Sequence, residues 1–205
     1  MNKAELSALA KRVLTELPGF ASREQLIFMH PIRDTLLGIF FDRSASPRAF
    51  YVQLFAQPLF IPKEHIVFTL GWRIGGGSWD ADAPELLAKL GDALKGEAVP
   101  FLSKIKSPSD VAKVAIELNE PGDLNLRRVI AYSLARSGET EKAIHAFKGF
   151  LQTMPAEIKA DWLKEDAQRA ELLLKELQTD PEATQRRLQA WEKETLKNLR
   201  LEKFA

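Results

Sequence analysis

The chain has 205 residues and no cysteine, and its 29 basic and 28 acidic side chains leave a formal net charge of +1. With 45% hydrophobic and 28% charged residues, it has the composition of an ordinary globular protein. The balanced charge provides no long-range field to attract nucleic acid or anionic lipid. The lack of cysteine excludes disulfides, thiolate nucleophiles and sulfur-ligated zinc, and a chain of this size can bury a core without cross-links.

Neither a targeting segment nor a membrane span is predicted. The first five residues contain no basic segment followed by an apolar stretch of signal-peptide length. The densest apolar runs, residues 26–29 and 36–41, are far shorter than the roughly 20 residues that a membrane-spanning helix needs. We therefore expect a cytoplasmic protein whose partners include neither membrane nor nucleic acid.

The N-terminal part has the pattern of one helix followed by an antiparallel sheet. Asn2 and Glu5 have the spacing of a capping box, and Pro18-Gly19 end the helix that they begin. Short turn segments then separate four β-rich runs, at residues 26–30, 36–43, 49–57 and 66–74. The sequence predicts an α+β fold, in which an antiparallel sheet of about four strands with flanking helices precedes an all-helical C-terminal part.

The last two predicted strands have clear alternation, which separates two faces because successive strand side chains point to opposite sides. The predicted core side is the face that carries nine residues: Phe50, Val52, Leu54, Ala56, Ile66, Phe68, Leu70, Trp72 and Ile74. The opposite face mixes aromatic rings, amides and a guanidinium, so another layer covers it or it is a contact surface. Its members are Tyr51, Gln53, Phe55, Gln57, Thr69 and Arg73.

A segment bracketed by Pro58 and Pro62 follows this strand. Proline cannot continue a strand ladder, so the segment either folds onto the core or projects from the surface. Folding over the sheet edge is the favoured alternative, because soluble proteins rarely expose a contiguous apolar patch. Together with residues 50–55, the segment resembles uncharacterised bacterial domains of unassigned function, which implies no activity. The candidate binding residues are Tyr51, Gln53, Phe55, Gln57, Leu59, Phe60, Ile61 and Arg73.

Gly75-Gly76-Gly77 lie between a strand and a helix, where backbone N–H groups can hold a phosphate. The lysine of a P-loop and the G-x-G-x-x-G of a dinucleotide site are both missing, which favours a flexible connector. Asp80 and Asp82 could coordinate a hard cation. We expect instead that Asp82 caps the next helix, with Pro84 and Glu85 in its first turn.

The three histidines lie on different elements and lack metal-ligand spacing, and no G-x-S-x-G motif occurs. The residues therefore predict no catalytic group, metal site or cofactor, although residues that are distant in sequence could still form a site. The alternative to a binding protein is a small hydrolase or ligand-binding domain with a pocket beside the Gly75–Gly77 loop. That pocket would use Arg73, Asp80, Asp82 or His65.

From Asp123 the chain has the pattern of two antiparallel helices, 126–136 and 140–153, joined at Ser137-Gly138. This pair resembles a single tetratricopeptide repeat unit at Leu134, Gly138, Ala143, Phe147 and Pro155. It departs from the repeat at Arg127, Ala131 and Phe150. The resemblance implies a helical hairpin and no particular function, since one unit cannot form the groove that stacked repeats use.

The last 50 residues have the pattern of a longer helical hairpin with apolar stripes at coiled-coil spacing. The first stripe is Ala156, Ala160, Leu163, Ala167, Ala170, Leu174 and Leu177, and the second is Leu188, Trp191, Thr195 and Leu199. We expect a protein partner or a second copy of the chain on these helices, and hence a non-enzymatic binding or scaffold protein.

Two domains are predicted, an α+β domain over residues 1–122 and a helical region over 123–205, with packing of both as one unit as the alternative. The composition changes near Gly122-Asp123, and residues 119–122 end the preceding helix.

Overall fold

The computed structural model describes residues 1–118, 123–155, 157 and 159–205. Contacts between residues divide the chain into two compact units. The sheet unit comprises Met1–Gln57, Ile66–Ile105 and Lys203–Ala205, and the helical unit comprises Pro58–His65 and Lys106–Glu202. This division differs from the predicted one between residues 122 and 123. The helix end that we expected at residues 119–122 lies outside the described residues.

The sheet unit begins with helix α1 (Lys3–Leu14), which six strands follow. The strands are β1 (Phe20–Arg23), β2 (Leu26–Met29), β3 (Thr35–Arg43), β4 (Ala49–Pro58), β5 (Leu70–Arg73) and β6 (Trp79–Asp80). Their order is β1-β2-β3-β4-β5, and β6 also pairs with β4. The predicted α+β fold with an N-terminal antiparallel sheet is confirmed. β1 and β6 were not predicted, because four and two residues are too short for alternation to be recognised.

The capping box at the start of α1 is present as predicted. The Asn2 side chain accepts a hydrogen bond from the Glu5 amide at 2.9 Å, and the Glu5 carboxylate accepts one from the Asn2 amide at 2.7 Å. Both bonds satisfy amides that have no partner within the helix. The apolar side of α1, with Leu6, Leu9 and Val13, is buried.

The alternation predicted the core side of β4 correctly, since Phe50, Val52, Leu54 and Ala56 are buried. It was wrong for two residues of the next run: Trp72 is 40% exposed, and Phe68, which is 36% exposed, packs against Phe55 of the opposite face. Phe68 precedes β5, which begins only at Leu70, so strand alternation does not apply to it.

Gln53 is opposite Arg73 on β5, and Leu54 is opposite Trp72, so each pair shares a face. Leu54 is fully buried on the core face. We call the side that carries Gln53 and Arg73 the second face.

The helix after the sheet begins differently from the prediction. Helix α2 (Leu86–Ala93) starts after Glu85, which has a left-handed backbone (φ 60°) and makes no side-chain capping bond. Asp82 does not cap it, because its carboxylate binds the Arg48 guanidinium at 2.6 Å. A guanidinium is a stronger hydrogen-bond donor to the carboxylate than a backbone amide is. A π-helical turn (Leu94–Ala98) and helix α3 (Val99–Lys104) follow.

The helical unit contains α4 (Pro108–Leu118), α5 (Leu124–Arg136), α6 (Thr140–Gln152), α7 (Asp161–Thr179) and α8 (Pro181–Asn198), and a short 3₁₀ turn (Glu202–Phe204) ends the chain. A tight turn joins α5 to α6, where Gly138 has φ of 78°, a conformation that favours glycine. The Tyr132 and Phe147 rings pack at 5.2 Å between these two helices. Within the described ranges, no helix is long and apolar enough to cross a membrane.

The buried stripe of α7 differs from the predicted one at two positions. Asp166 and Leu173 are buried, whereas Ala167 and Leu174 are only partly covered. Ala156, which we placed in the stripe, lies outside the described residues. On α8, Leu188 and Thr195 are buried as the second stripe requires, so much of both stripes is covered within the chain itself.

Replacement of Asn2 by alanine should lower the free energy of unfolding by about 1 kcal/mol, because the Glu5 amide loses its acceptor. Urea denaturation of the full chain measures the change. Asn2→Asp is the matched control: it keeps an acceptor at the helix N-terminus and should retain most of the stability. Equal losses in both variants would contradict a role for the cap.

Candidate functional site

The structure separates the predicted binding residues by burial. Five of the eight are buried and offer no surface to a partner: Phe55, Gln57, Leu59, Phe60 and Ile61. The Gln57 side chain is engaged internally, since it accepts a hydrogen bond from the Val67 amide at 3.0 Å. Tyr51 and Gln53 are partly accessible and Arg73 is exposed. A surface site on this part of the chain is therefore restricted to the last three and their neighbours.

Aromatic contacts explain why one end of the second face is covered. The Phe68 ring packs edge-on against Phe55 at 5.4 Å, and the C-terminal Phe204 packs against Phe28 at 4.9 Å. Leu59, Phe60 and Ile61 belong to the helical unit, although they directly follow β4 in the sequence. The proline-bracketed segment is thus folded in, which is the alternative that the rarity of exposed apolar patches favoured.

The accessible part of the second face carries Arg73 stacked on one ring and, on the same face, a second pair of packed rings. We call Phe40, Tyr51, Gln53, Phe68 and Arg73 the aromatic face. The Arg73 guanidinium carbon lies 3.9 Å from the centre of the Tyr51 ring, within the range of a cation–π contact. The Phe40 and Phe68 rings pack at 5.9 Å, and 36% of Phe68 remains exposed.

The aromatic face is suited to bind a carboxylate. Among the described residues, no carboxylate forms an ion pair with Arg73. A guanidinium that stacks on a ring keeps its in-plane N–H donors available, and those donors match the two oxygens of a carboxylate. The face therefore combines apolar contact area with an unoccupied charged donor.

The polar groups around the glycine loop do not converge. Arg73 stacks on Tyr51, and Asp82 is held by Arg48. The Asp80 carboxylate accepts a hydrogen bond from the Asp82 amide at 3.0 Å, and His65 belongs to the helical unit. Within the sheet unit, Arg73, Asp80 and Asp82 thus have separate partners and do not point to a shared pocket beside Gly75–Gly77.

A groove of about 580 Å³ in the sheet unit lies between helix α1 and helix α2 with its π-helical turn. Val13, Leu87 and Gly91 line it, and an exposed pair between Glu16 and Lys95 at 2.9 Å is part of its wall. Hydrogen bonding to Lys95 lowers the pKa of Glu16. Since these two charges satisfy each other, the groove presents no group poised for chemistry.

The helical unit contains a smaller cleft of about 200 Å³, which we call the Lys63 cleft. It is surrounded by α7, by α8 and by the end of the proline-bracketed segment. Its lining residues are Pro62, Lys63, Glu64, His65, Trp162, Glu165, Asp166, Arg169, Glu194 and Asn198. The Asn198 side-chain amide donates to the Lys63 carbonyl at 3.4 Å, which connects the segment to α8.

A buried ion pair lies at the base of this cleft. The Asp166 carboxylate accepts a hydrogen bond from Arg128 on α5, and the two side chains are only 3% and 6% exposed. Arg128 also donates to Asn125 at 3.1 Å, and Arg169 lies 3.6 Å from Asp166. Burial, and then the negative charge of Asp166, raise the pKa of the neighbouring Tyr132 hydroxyl, which stays neutral.

The Lys63 ammonium is half-buried and, among the described residues, makes no hydrogen bond or ion pair. Burial lowers its pKa, and the positive charges of Arg128 and Arg169 lower it further. Asp166 and Glu165 act in the opposite direction. The net decrease in pKa means that the neutral amine is more accessible here than on a solvated lysine.

Our reading of the sequence missed this cleft. From the sequence we assigned no role to Asp166 or Lys63. One signal was available: Asp166 lies three residues after Leu163 and four before Ala170, at stripe spacing. A charge on an apolar stripe indicates a buried partner. The sequence does not identify Arg128 as that partner.

Comparison of the chain with protein-family models, with curated proteins and with solved structures finds no match. The tetratricopeptide resemblance of α5 and α6 therefore stays a prediction from the residues. Any function has to be argued from the two sites themselves.

Replacement of Asp166 by leucine should lower the free energy of unfolding by about 3–5 kcal/mol, because it leaves the Arg128 charge buried without a partner. The double variant Arg128→Met/Asp166→Leu should regain most of this loss, since an apolar pair of similar volume needs no compensation. Urea denaturation of the full chain measures both.

The exposed pair between Lys142 and Glu139 provides the control. Lys142→Met should leave stability nearly unchanged, because solvent screens an exposed ion pair. If Asp166→Leu were as mild as this control, the ion pair would not hold α5 and α7 together.

Proposed function

We propose that the protein is a non-enzymatic binding protein whose aromatic face holds an acidic segment of a partner protein. One observation supports this above all: the exposed Arg73 guanidinium stacks on Tyr51 and has no carboxylate partner among the described residues. Both residues were candidates from the sequence. The proposed compartment is the cytoplasm, in agreement with the absence of cysteine.

The composition of the face favours binding over catalysis. Tyrosine and arginine are enriched among residues that dominate binding energy, because they combine a large contact area with directed donors. Gln53 is the cross-strand neighbour of Arg73, so an amide donor and acceptor lie beside the guanidinium. None of the five residues of the face is an acid or a histidine that could transfer a proton near neutral pH.

The geometry also indicates what the partner segment contains. A carboxylate would bind the in-plane donors of Arg73, and an apolar or aromatic side chain would contact the exposed part of Phe68. We therefore expect a segment in which acidic residues alternate with aromatic ones. Rigid strands β4 and β5 position the donors, so binding needs little reordering of this face.

The test is fluorescence anisotropy with labelled synthetic peptides in which glutamate alternates with phenylalanine or tyrosine. The full chain should bind them, and Arg73→Glu should weaken binding by about tenfold or more, because a charge-assisted hydrogen bond becomes a repulsion. Arg73→Lys should give an intermediate loss, since lysine keeps the charge without the planar fork.

Arg43→Glu is the matched control, because Arg43 is also exposed in the sheet unit and the change in charge is the same. It should leave binding almost unchanged. Peptides with lysine in place of glutamate should not bind. The proposal fails if the acidic peptides do not bind, or if Arg43→Glu and Arg73→Glu weaken binding equally.

A further inference from the structure

We propose that Lys63 is a nucleophilic amine that forms an imine with a small neutral aldehyde or ketone in the Lys63 cleft. This site is separate from the aromatic face and does not depend on the proposed protein partner. The first support is position: Lys63 lines a cleft of about 200 Å³, and its ammonium has no ion-pair partner among the described residues. Three of the charged groups around it, Glu165, Asp166 and Arg169, are already in ion pairs.

The surroundings of Lys63 favour the neutral amine, which is the form that attacks a carbonyl carbon. Lysine nucleophiles are activated by desolvation or by a neighbouring cation. Both conditions are present, because the side chain is half-buried and the Arg128 and Arg169 guanidinium groups repel its positive charge. Arg128 is paired with Asp166, and Arg169 with Glu165 at 3.1 Å, so these acids are not free to form an ion pair with the ammonium.

The reaction needs only groups that line the cleft. The amine nitrogen attacks the carbonyl carbon, the C=O π electrons move to oxygen, and a proton moves from nitrogen to oxygen to give a carbinolamine. Loss of water then leaves the C=N bond, so an amine and a carbonyl become an imine and water. His65 lines the cleft and can transfer the protons.

The charge and size of the cleft indicate the class of ligand. Glu64, Glu165 and Glu194 line it, and these carboxylates disfavour an anionic electrophile such as an acyl phosphate. Trp162 is 55% exposed and offers an apolar wall. Because pockets for drug-sized ligands have volumes of roughly 300–1,000 Å³, a cleft of 200 Å³ suits a smaller compound. A short neutral aldehyde or ketone meets both requirements.

The experiment treats the full chain with limiting propanal and sodium cyanoborohydride, which reduces an imine to a stable secondary amine. Peptide mass spectrometry then measures propylation at each lysine over time. Lys63 should be modified severalfold faster than Lys148 and Lys193, which are exposed on α6 and α8. The Met1 amine is an internal reference for reagent activity. Lys63→Arg should remove the fast adduct and leave the rates at the other two lysines unchanged.

Two further comparisons separate a built site from mere accessibility. Arg169→Gln should slow propylation of Lys63 because it removes a neighbouring cation, whereas Arg169→Lys keeps the charge and should retain the rate. Anionic glyoxylate should show a smaller preference for Lys63 over Lys193 than propanal does. Equal rates at Lys63, Lys148 and Lys193, or an unchanged rate in a folded Arg169→Gln variant, would overturn the proposal.

Discussion

Arg128 and Asp166 are two charges that the helical unit has removed from water, and each is tolerable there only because of the other. The requirement fixes α5 relative to α7, since a shift of either helix would separate the guanidinium from the carboxylate. The pair also sets the electrostatics around it. Arg128 contributes to the lowered pKa of Lys63, and Asp166 to the raised pKa of Tyr132. The helical unit is thus polar inside as well as at its surface.

The two proposed sites use different physical chemistry and lie in different units. The aromatic face combines exposed ring area with one cation that has no acidic partner among the described residues, which suits recognition of another chain. The Lys63 cleft is small and lined by charges, and it surrounds an amine whose neighbours disfavour protonation.

Much of the architecture followed from local rules. The capping box at Asn2 and Glu5, the strands β2 to β5 and the turn at Gly138 were predicted, because each depends on neighbours in sequence. The failures have a common cause. Asp82 did not cap α2 because Arg48, 34 residues earlier, competes for its carboxylate. The candidate binding set was only partly accessible, because Phe68 packs on Phe55 and because Leu59, Phe60 and Ile61 are buried and belong to the helical unit.

The sequence by itself determined the α+β class, the separation of the two faces of the sheet and the positions of most helices. These features follow from patterns among residues that are only a few positions apart. The periodicity of apolar residues predicts helices and strands, and turn-forming residues predict where they end. Only the tertiary structure decided which part of the second face is open, that the Pro58–His65 segment belongs with the helices, and that Arg128 meets Asp166. Burial and pKa depend on groups brought together from distant positions, and no local pattern specifies which distant groups these are.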